Sequence, residues 1–445
     1  MSFVSELQTA KGVVAMKNEQ SLYEHWETWL RAHAHSITQL EPRHEDDYSD
    51  LTFLKDVLKG KRIVMLGESS HGASEFISSR VRLVQYLYEE LGYEVIAFES
   101  GLGETHVADL QASERLPEDT MRSAVISVWH TQEMIPLFEF VRHSKQNKAP
   151  LRLSGMDMQP TGSYHHFIRR WFEQVNPSVA EQAEQLEQQF AASFYLKDIE
   201  AYQKEKVQMR AGYEALIQFV ETNRSALAAI HPEDPNLISV TLHVLNGRIQ
   251  TVEHFLEKAV LGNKYAAENN HDQAKKYYDE ITTMRDQRMA EDLAWVAETL
   301  YPNKKIIVWS HNYHIRKENE AVKNARSPLP TMGGLLPNSL KQESYVIGLY
   351  MNRGVSAFVD HQLAPVRYPH PEGSMEWILG KAGAANIFVD LSGQKCERAT
   401  SWMFTERQAL DWGTWEERFI PRSQYDGILF IDEVHIPDYL DEKGG

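Results

Sequence analysis

The chain has 445 residues, 42% hydrophobic and 24% charged, which suits a folded protein with a large core and room for an additional subdomain, and does not suit a disordered one. Its 46 Lys and Arg face 63 Asp and Glu, for a formal charge of −17. That balance disfavours nucleic acid and anionic membranes as partners, because phosphates and acidic headgroups require a basic surface.

Cys396 is the only cysteine, so an intrachain disulfide and a thiolate metal cluster are excluded, which fits the cell interior. Near the start, Glu6, Lys11, Lys17 and Glu19 interrupt every apolar run, unlike a secretory signal, and no uncharged apolar stretch of about 18 residues occurs. The expectation is a cytoplasmic protein acting on a small molecule.

In chain order, residues 1–50 are expected to form an N-terminal helical segment. Short apolar, β-branched runs then recur at Arg62–Leu66, Glu94–Phe98, Leu151–Ser154, Lys305–Trp309, Tyr345–Leu349, Asn386–Leu391 and Gly427–Ile431, and each predicts a core strand. Between the first three, Glu75–Leu91 and Thr131–Ser144 place apolar residues at helical spacing. Strand, helix, strand, helix predicts an α/β fold with a mostly parallel central sheet flanked by helices.

From 177 to 300 the strand-like runs stop, and Tyr213, Leu216, Ile217 and Val220 follow three-and-four spacing. Breaks near 231–235 and 262–270 predict two or three long helices, as a helical insertion or subdomain. The α/β catalytic domain then comprises 51–176 and 301–445. The segment Leu329–Pro337, rich in Gly and Pro, suits a loop that covers a substrate or an inert connection.

Three strand ends carry chemistry. The first runs into Gly67-Glu-Ser-Ser-His71, with Glu75 and Arg80 on the helix that follows; the second ends in Glu99; the third runs into Ser310-His-Asn-Tyr-His314. If these strands are parallel, Glu68, His71, Glu99, His311 and His314 converge on the carboxyl edge of one sheet, the usual place for a ligand in α/β proteins. A carboxylate placed last on an apolar strand needs a partner, and His71 or Arg80 is the candidate for Glu99. Glu133 and Asp157 are supports or plain helix starts, and Arg285-Asp286 reads as a solvated ion pair on a helix.

Other mechanisms drop out. Gly67-Glu-Ser-Ser-His71 nearly spells the serine-hydrolase elbow but has His71 where the last glycine belongs, and no Walker loop, H-E-x-x-H or strand-linked G-x-G-x-x-G occurs. Two routes stay open on the residues alone. His71, oriented by a carboxylate, can act as a general base toward water, or His71, Glu99, His311 and His314 can hold a divalent ion that activates it.

Six ordered motifs, Leu66-Gly-Glu-Ser-Ser-His-Gly-Ala-Ser-Glu75, Val95-Ile-Ala-Phe-Glu99, Trp129-His-Thr-Gln-Glu133, Gly155-Met-Asp-Met-Gln159, Arg285-Asp-Gln-Arg-Met-Ala290 and Val308-Trp-Ser-His-Asn-Tyr-His314, together resemble the erythromycin esterase family, and within it the branch labelled succinoglycan biosynthesis protein. The resemblance runs from about residue 50 to 435. It implies a hydrolase that opens a macrolide lactone or a related ester, with no cofactor, no covalent intermediate and no obligatory metal. On the matching motifs it implies His71 as general base, Glu68 and Glu99 as essential carboxylates, His311 and His314 as the late histidine pair, and Arg80 as the arginine after the first motif. Glu75, Glu133, Asp157 and Arg285 follow as weaker substrate-side candidates. A wider group with a similar motif binds iron or haem, and an accessory role in polysaccharide synthesis without hydrolysis is the remaining alternative.

Overall fold

The structure, a computed structural model, describes residues 19–160 and 164–441. Glu6, Lys11 and Lys17, and with them residues 1–18 of the expected 1–50 segment, lie outside the described residues. Within that segment a helix covers 19–33, and the chain from 37 to 50 is irregular.

Eleven strands are described: β1 His35–Ser36, β2 Ile63–Leu66, β3 Tyr93–Gly101, β4 Arg152–Asp157, β5 Lys305–Trp309, β6 Ser344–Ala357, β7 Leu363–Pro365, β8 Ile387–Asp390, β9 Arg407–Asp411, β10 Trp415–Phe419 and β11 Gly427–Val434. All seven predicted strands are present, β3 and β6 longer than their apolar cores. The four additional ones are two or three residues long, or, in β9 and β10, carry charges such as Glu416, Glu417 and Arg418 that hide an apolar alternation.

The chain divides into two compact units, the first comprising residues up to Tyr86, His311–Pro328 and Ser344–Asp438. Its sheet runs β1-β8-β11-β6-β2. The inner pairs are parallel, with Ile63 to Leu66 of β2 opposite Ser344 to Ile347 of β6, and Gly427 of β11 opposite Ile347. β8 and β1 add antiparallel strands on one side, and β9 and β10 form a separate hairpin. All four residues of β2 are buried, as befits a strand covered on both faces.

Gly67, directly after β2, is required by space. A Cβ there would lie 2.0 Å from Asn312 Oδ1. Asn312 needs that approach, because its amide donates to the Leu349 carbonyl at 3.0 Å and accepts from the Leu349 N–H at 3.3 Å. The side chain thereby locks the turn after β2 beside the middle of β6.

The second unit comprises Leu87–Ser310, Leu329–Glu343 and the C-terminal segment from Tyr439. Here β3 lies between β4 and β5, parallel to both, over a core in which Phe98 meets Trp129, Phe138 and Trp309. The α/β class with mostly parallel sheet and flanking helices is therefore as predicted. The helical stretch 177–300 falls within this unit.

That stretch holds more helices than the two or three expected: Pro177–Ser193, Ile199–Thr222, Arg224–Ile230, Leu237–Gln250, Leu256–Ala267 and His271–Trp295. Side chains of Asn176, Asp198 and Asn270 cap three of them, and the Asp198 cap marks a break that composition concealed. The breaks near 231–235 and 262–270 are both real, the second at residues 268–270, so Gly262 itself lies inside a helix. Its missing Cβ admits the Tyr278 ring, which would otherwise stand 2.8 Å away.

The segment 329–337, expected as a covering loop or an inert connection, is partly packed. Thr331 and Met332 are fully buried, and the Met332 N–H donates to Asp286 Oδ1 at 2.8 Å at the start of the short helix Met332–Leu335. Among the described residues no helix is long and apolar enough to cross a membrane.

Candidate active site

In the first unit, β2 and Gly67 deliver Glu68 and His71 three residues apart on one turn. Glu68 is fully buried, while the His71 side chain keeps 12% of its surface exposed. Glu68 Oε1 lies 2.7 Å from His71 Nδ1. A carboxylate can only accept, so Nδ1 carries the proton, and Nε2 is left as the basic nitrogen.

The other oxygen of Glu68 accepts from Arg80, two turns into the helix Ser74–Leu91. Arg80 is fully buried and its Nε also donates to the Phe76 carbonyl at 3.2 Å. The Glu68 carboxylate is therefore held between an imidazole and a guanidinium. Charge-assisted contacts of this kind fix geometry more firmly than neutral ones.

His311 begins the helix Asn312–Ile315, and its Nδ1 accepts from the Tyr313 N–H at 3.1 Å. Its ring lies 4.9 Å from that of His71. His314, also buried, stands edge-on to Tyr313 with centroids 5.0 Å apart. The backbone joins the two segments directly, since the Asn312 N–H donates to the Glu68 carbonyl at 2.8 Å.

Glu75 is placed elsewhere. Its Oε1 lies 2.7 Å from His435 Nδ1 and its Oε2 accepts the His435 N–H at 2.8 Å, so it pins the end of β11 to the helix start. The carboxylate in turn raises the His435 imidazole above its ordinary range.

The second unit holds a carboxylate cluster on its strand ends. Glu99, near the end of β3, accepts from Arg285 at 2.9 Å and from the Ser310 hydroxyl at 2.7 Å. Asp157, the last residue of β4, accepts from Arg285 Nε at 3.0 Å and from its Nη2 at 2.5 Å. Arg285 thus bridges two carboxylates, and their proximity holds its guanidinium above even its usual range despite burial. Within its unit Glu99 meets Arg285, and one expectation changes: Arg285-Asp286 is no solvated pair. Asp286 is fully buried and holds the 331–335 turn. Glu133 is half-buried on the 3-10 turn Gln132–Met134.

Sequence reasoning missed the tip of the β9–β10 hairpin. Trp412 stacks on His311 and meets His71 edge-on, both at 5.3 Å, and Asp411 Oδ1 lies 4.0 Å from His311 Nε2. The signal in the sequence was Asp411-Trp-Gly413, a polar turn around an aromatic residue. Among the described residues no three His, Cys, Asp or Glu side chains are grouped as a metal site would need.

The profile of the erythromycin esterase family matches residues 88–434. The chain is 37% identical over 420 residues to the Bacillus subtilis (strain 168) protein YbfO, described only provisionally as a hydrolase, covering 92% of this chain and 91% of the relative. It is 24% identical over 382 residues to the Escherichia coli erythromycin esterase type II, covering 78% of this chain and 84% of the other. Two solved structures share the fold: a succinoglycan biosynthesis protein, with a TM-score of 0.73, 19% identity and coverage of 94% and 99%, and an erythromycin esterase EreC mutant in an open conformation, with a TM-score of 0.62, 17% identity and coverage of 91% and 98%. On the family match and the extent of the YbfO identity, this chain belongs to the erythromycin esterase family.

Proposed function

We propose that the protein hydrolyses a carboxylic ester or lactone of a small molecule, with His71 as the general base. The Glu68 to His71 Nδ1 contact at 2.7 Å carries this reading, because it leaves Nε2 basic on a side chain that is still partly exposed. Family membership supports hydrolysis as such. The ester linkage, the macrolide and the residue roles are this reading's own.

In the proposed reaction His71 Nε2 takes a proton from water, and the hydroxide adds to the carbonyl carbon. The oxyanion that forms is met by N–H donors, for which His311 is suited: with Nδ1 accepting from Tyr313, a neutral ring bears its proton on Nε2. Collapse breaks the ester C–O bond, and the imidazolium of His71 returns its proton to the departing alkoxide. The products are one acid and one alcohol. His314 is assigned beside His311.

Arg80 acts through Glu68 in this reading, since a fully buried guanidinium is suited to fixing a carboxylate and poorly suited to meeting a substrate. Glu99 is assigned as an essential carboxylate held by Arg285, with Asp157 and Glu133 on the substrate side.

A panel of aryl esters, lactones and 14-membered macrolides, followed by mass detection of a gained water, tests the activity. His71→Ala is expected to lower turnover at least about a hundredfold, in line with the loss of a general base. Glu99→Ala should reduce it comparably, and unchanged turnover in either variant would overturn the assignment. Metal analysis and chelation separate the metal route, which requires stoichiometric metal and loss of turnover on chelation.

A further inference from the structure

The hairpin of β9 and β10 brings two residues against the histidines that no motif marks. Its turn is costly in itself. Trp412 has φ +54, in the left-handed region where a side chain other than Asn, Asp or Gly is uncommon, and Gly413 follows at φ +69. Backbone strain of this kind persists where the surrounding structure over-determines it, and it clusters at working sites.

Four contacts do so here. The Trp412 N–H donates to the Ser69 carbonyl at 2.7 Å, tying the turn to the segment between Glu68 and His71. The indole is 8% exposed and lies near-parallel to His311, at 24°, and near-perpendicular to His71, at 84°. It also borders Phe358, at 5.9 Å.

Asp411 faces Nε2 of His311 from the same turn, at 4.0 Å. Its Oδ1 is buried and makes no hydrogen bond among the described residues. The cations nearby are engaged elsewhere: Arg316 donates to Glu417 at 3.2 Å and to the Tyr425 hydroxyl at 2.8 Å, and Arg326 lies over the Trp415 ring at 4.2 Å. Burial and the Glu417 charge accordingly push the Asp411 carboxyl up to about 8.

We propose that Asp411 and Trp412 are positioning residues of the histidine site: Trp412 sets the angle between the His71 and His311 rings, and Asp411 fixes Nε2 of His311 as its proton-bearing nitrogen. The opposite nitrogen already accepts from the Tyr313 N–H, and at 4.0 Å the Asp411 oxygen takes no hydrogen bond from Nε2 but adds its dipole to the same preference, leaving that N–H able to donate to substrate. The proposal rests on the hydrolytic reading for its purpose, not for its geometry. A neutral carbonyl dipole suffices at position 411, so Asp411→Asn is expected to preserve the effect that Asp411→Leu removes.

The test uses the full chain labelled with 15N-histidine. Long-range 1H–15N correlations report each ring's tautomer, with the His311 signals assigned by their loss in His311→Asn. The wild type and Asp411→Asn should show His311 with its proton on Nε2. Asp411→Leu and Trp412→Leu should show shifts averaged between tautomers, with thermal unfolding confirming that each variant is folded. If Asp411→Leu does not fold, Asp411→Ala and Trp412→Leu carry the same comparison.

On an ester found to be hydrolysed, Asp411→Leu should lower kcat about tenfold or more with little change in KM, and Asp411→Asn should recover most of it. A His311 tautomer identical in the wild type, Asp411→Leu and Trp412→Leu would overturn the proposal. Altered tautomers without turnover on any ester would uphold the positioning and defeat the hydrolytic reading instead.

Discussion

Two regions of the molecule bury carboxyl groups, and they treat them in opposite ways. At the strand ends of the second unit, Glu99 and Asp157 are both within hydrogen-bond reach of Arg285. Around the β9 strand of the first unit, Glu376 and Asp411 are just as hidden but have no guanidinium bonded to them among the described residues. Both are pushed up to about 8 by burial, and so are held as neutral acids at neutral pH. What separates the two regions is a cation in contact. Glu68, which bonds Arg80, resembles the first in this respect.

The largest effect that can break this comparison is expected at Arg285. Arg285→Met should remove the cation that both Glu99 and Asp157 bond and cost about 3–5 kcal/mol, the usual penalty for removing one partner of a buried ion pair. Denaturant unfolding at pH 7 measures it. A loss below about 1 kcal/mol would place the cluster with exposed pairs, whose members contribute little.

A second effect, of opposite pH sign to ordinary acid denaturation, is expected at Glu376. In the unfolded chain it ionises near 4.5, whereas the folded group stays protonated up to about 8. Between those values the unfolded state has released a proton that the folded state retains, so stability falls as pH rises, by at most about 1.4 kcal/mol per unit. Glu376→Gln keeps the acceptor for the Leu410 N–H and should flatten that part of the profile, with its advantage over the wild type growing from pH 5 to pH 8. Parallel profiles would show that the group ionises despite its burial.

The smallest effect belongs to the exposed pair of Glu75 and His435. The imidazole is raised above 6.5 in the folded state, so its contribution is fully present below that value and fades as pH rises through the folded pKa. With 68% of the His435 side chain exposed, solvent screening limits it to about 0.5 kcal/mol or less. His435→Ala should therefore lower the melting temperature slightly at pH 5.5 and hardly at all at pH 8.5. A larger drop would mean that the clasp on β11 matters beyond its charge.

The same contrast explains what could be read in advance. Glu68 and His71 are three residues apart on one turn, and their pairing follows from local chain geometry. Arg285 lies 186 residues from Glu99 and 128 from Asp157, so no spacing rule connects them, and a helical Arg-Asp pair reads as solvated surface until the fold buries it. Arg80 was legible as a residue of the site but not in its contact, because whether a guanidinium faces a substrate or a buried carboxylate depends on which face of the helix Ser74–Leu91 is covered. Asp411 and Trp412 were missed because the charges of β9 and β10 mask a hairpin whose tip only tertiary packing brings to His311.

By itself the sequence determined the seven core strands, the α/β class, the helical stretch and the Glu68–His71 dyad. These rest on hydrophobic period and on contacts within a few residues, both written along the chain. Only the tertiary structure decided which buried carboxyl groups meet a cation, that Gly67 makes room for Asn312, and that a strained turn near the C-terminus stands beside two histidines. Those outcomes depend on burial and on distances between residues far apart in the chain, and no local pattern encodes them.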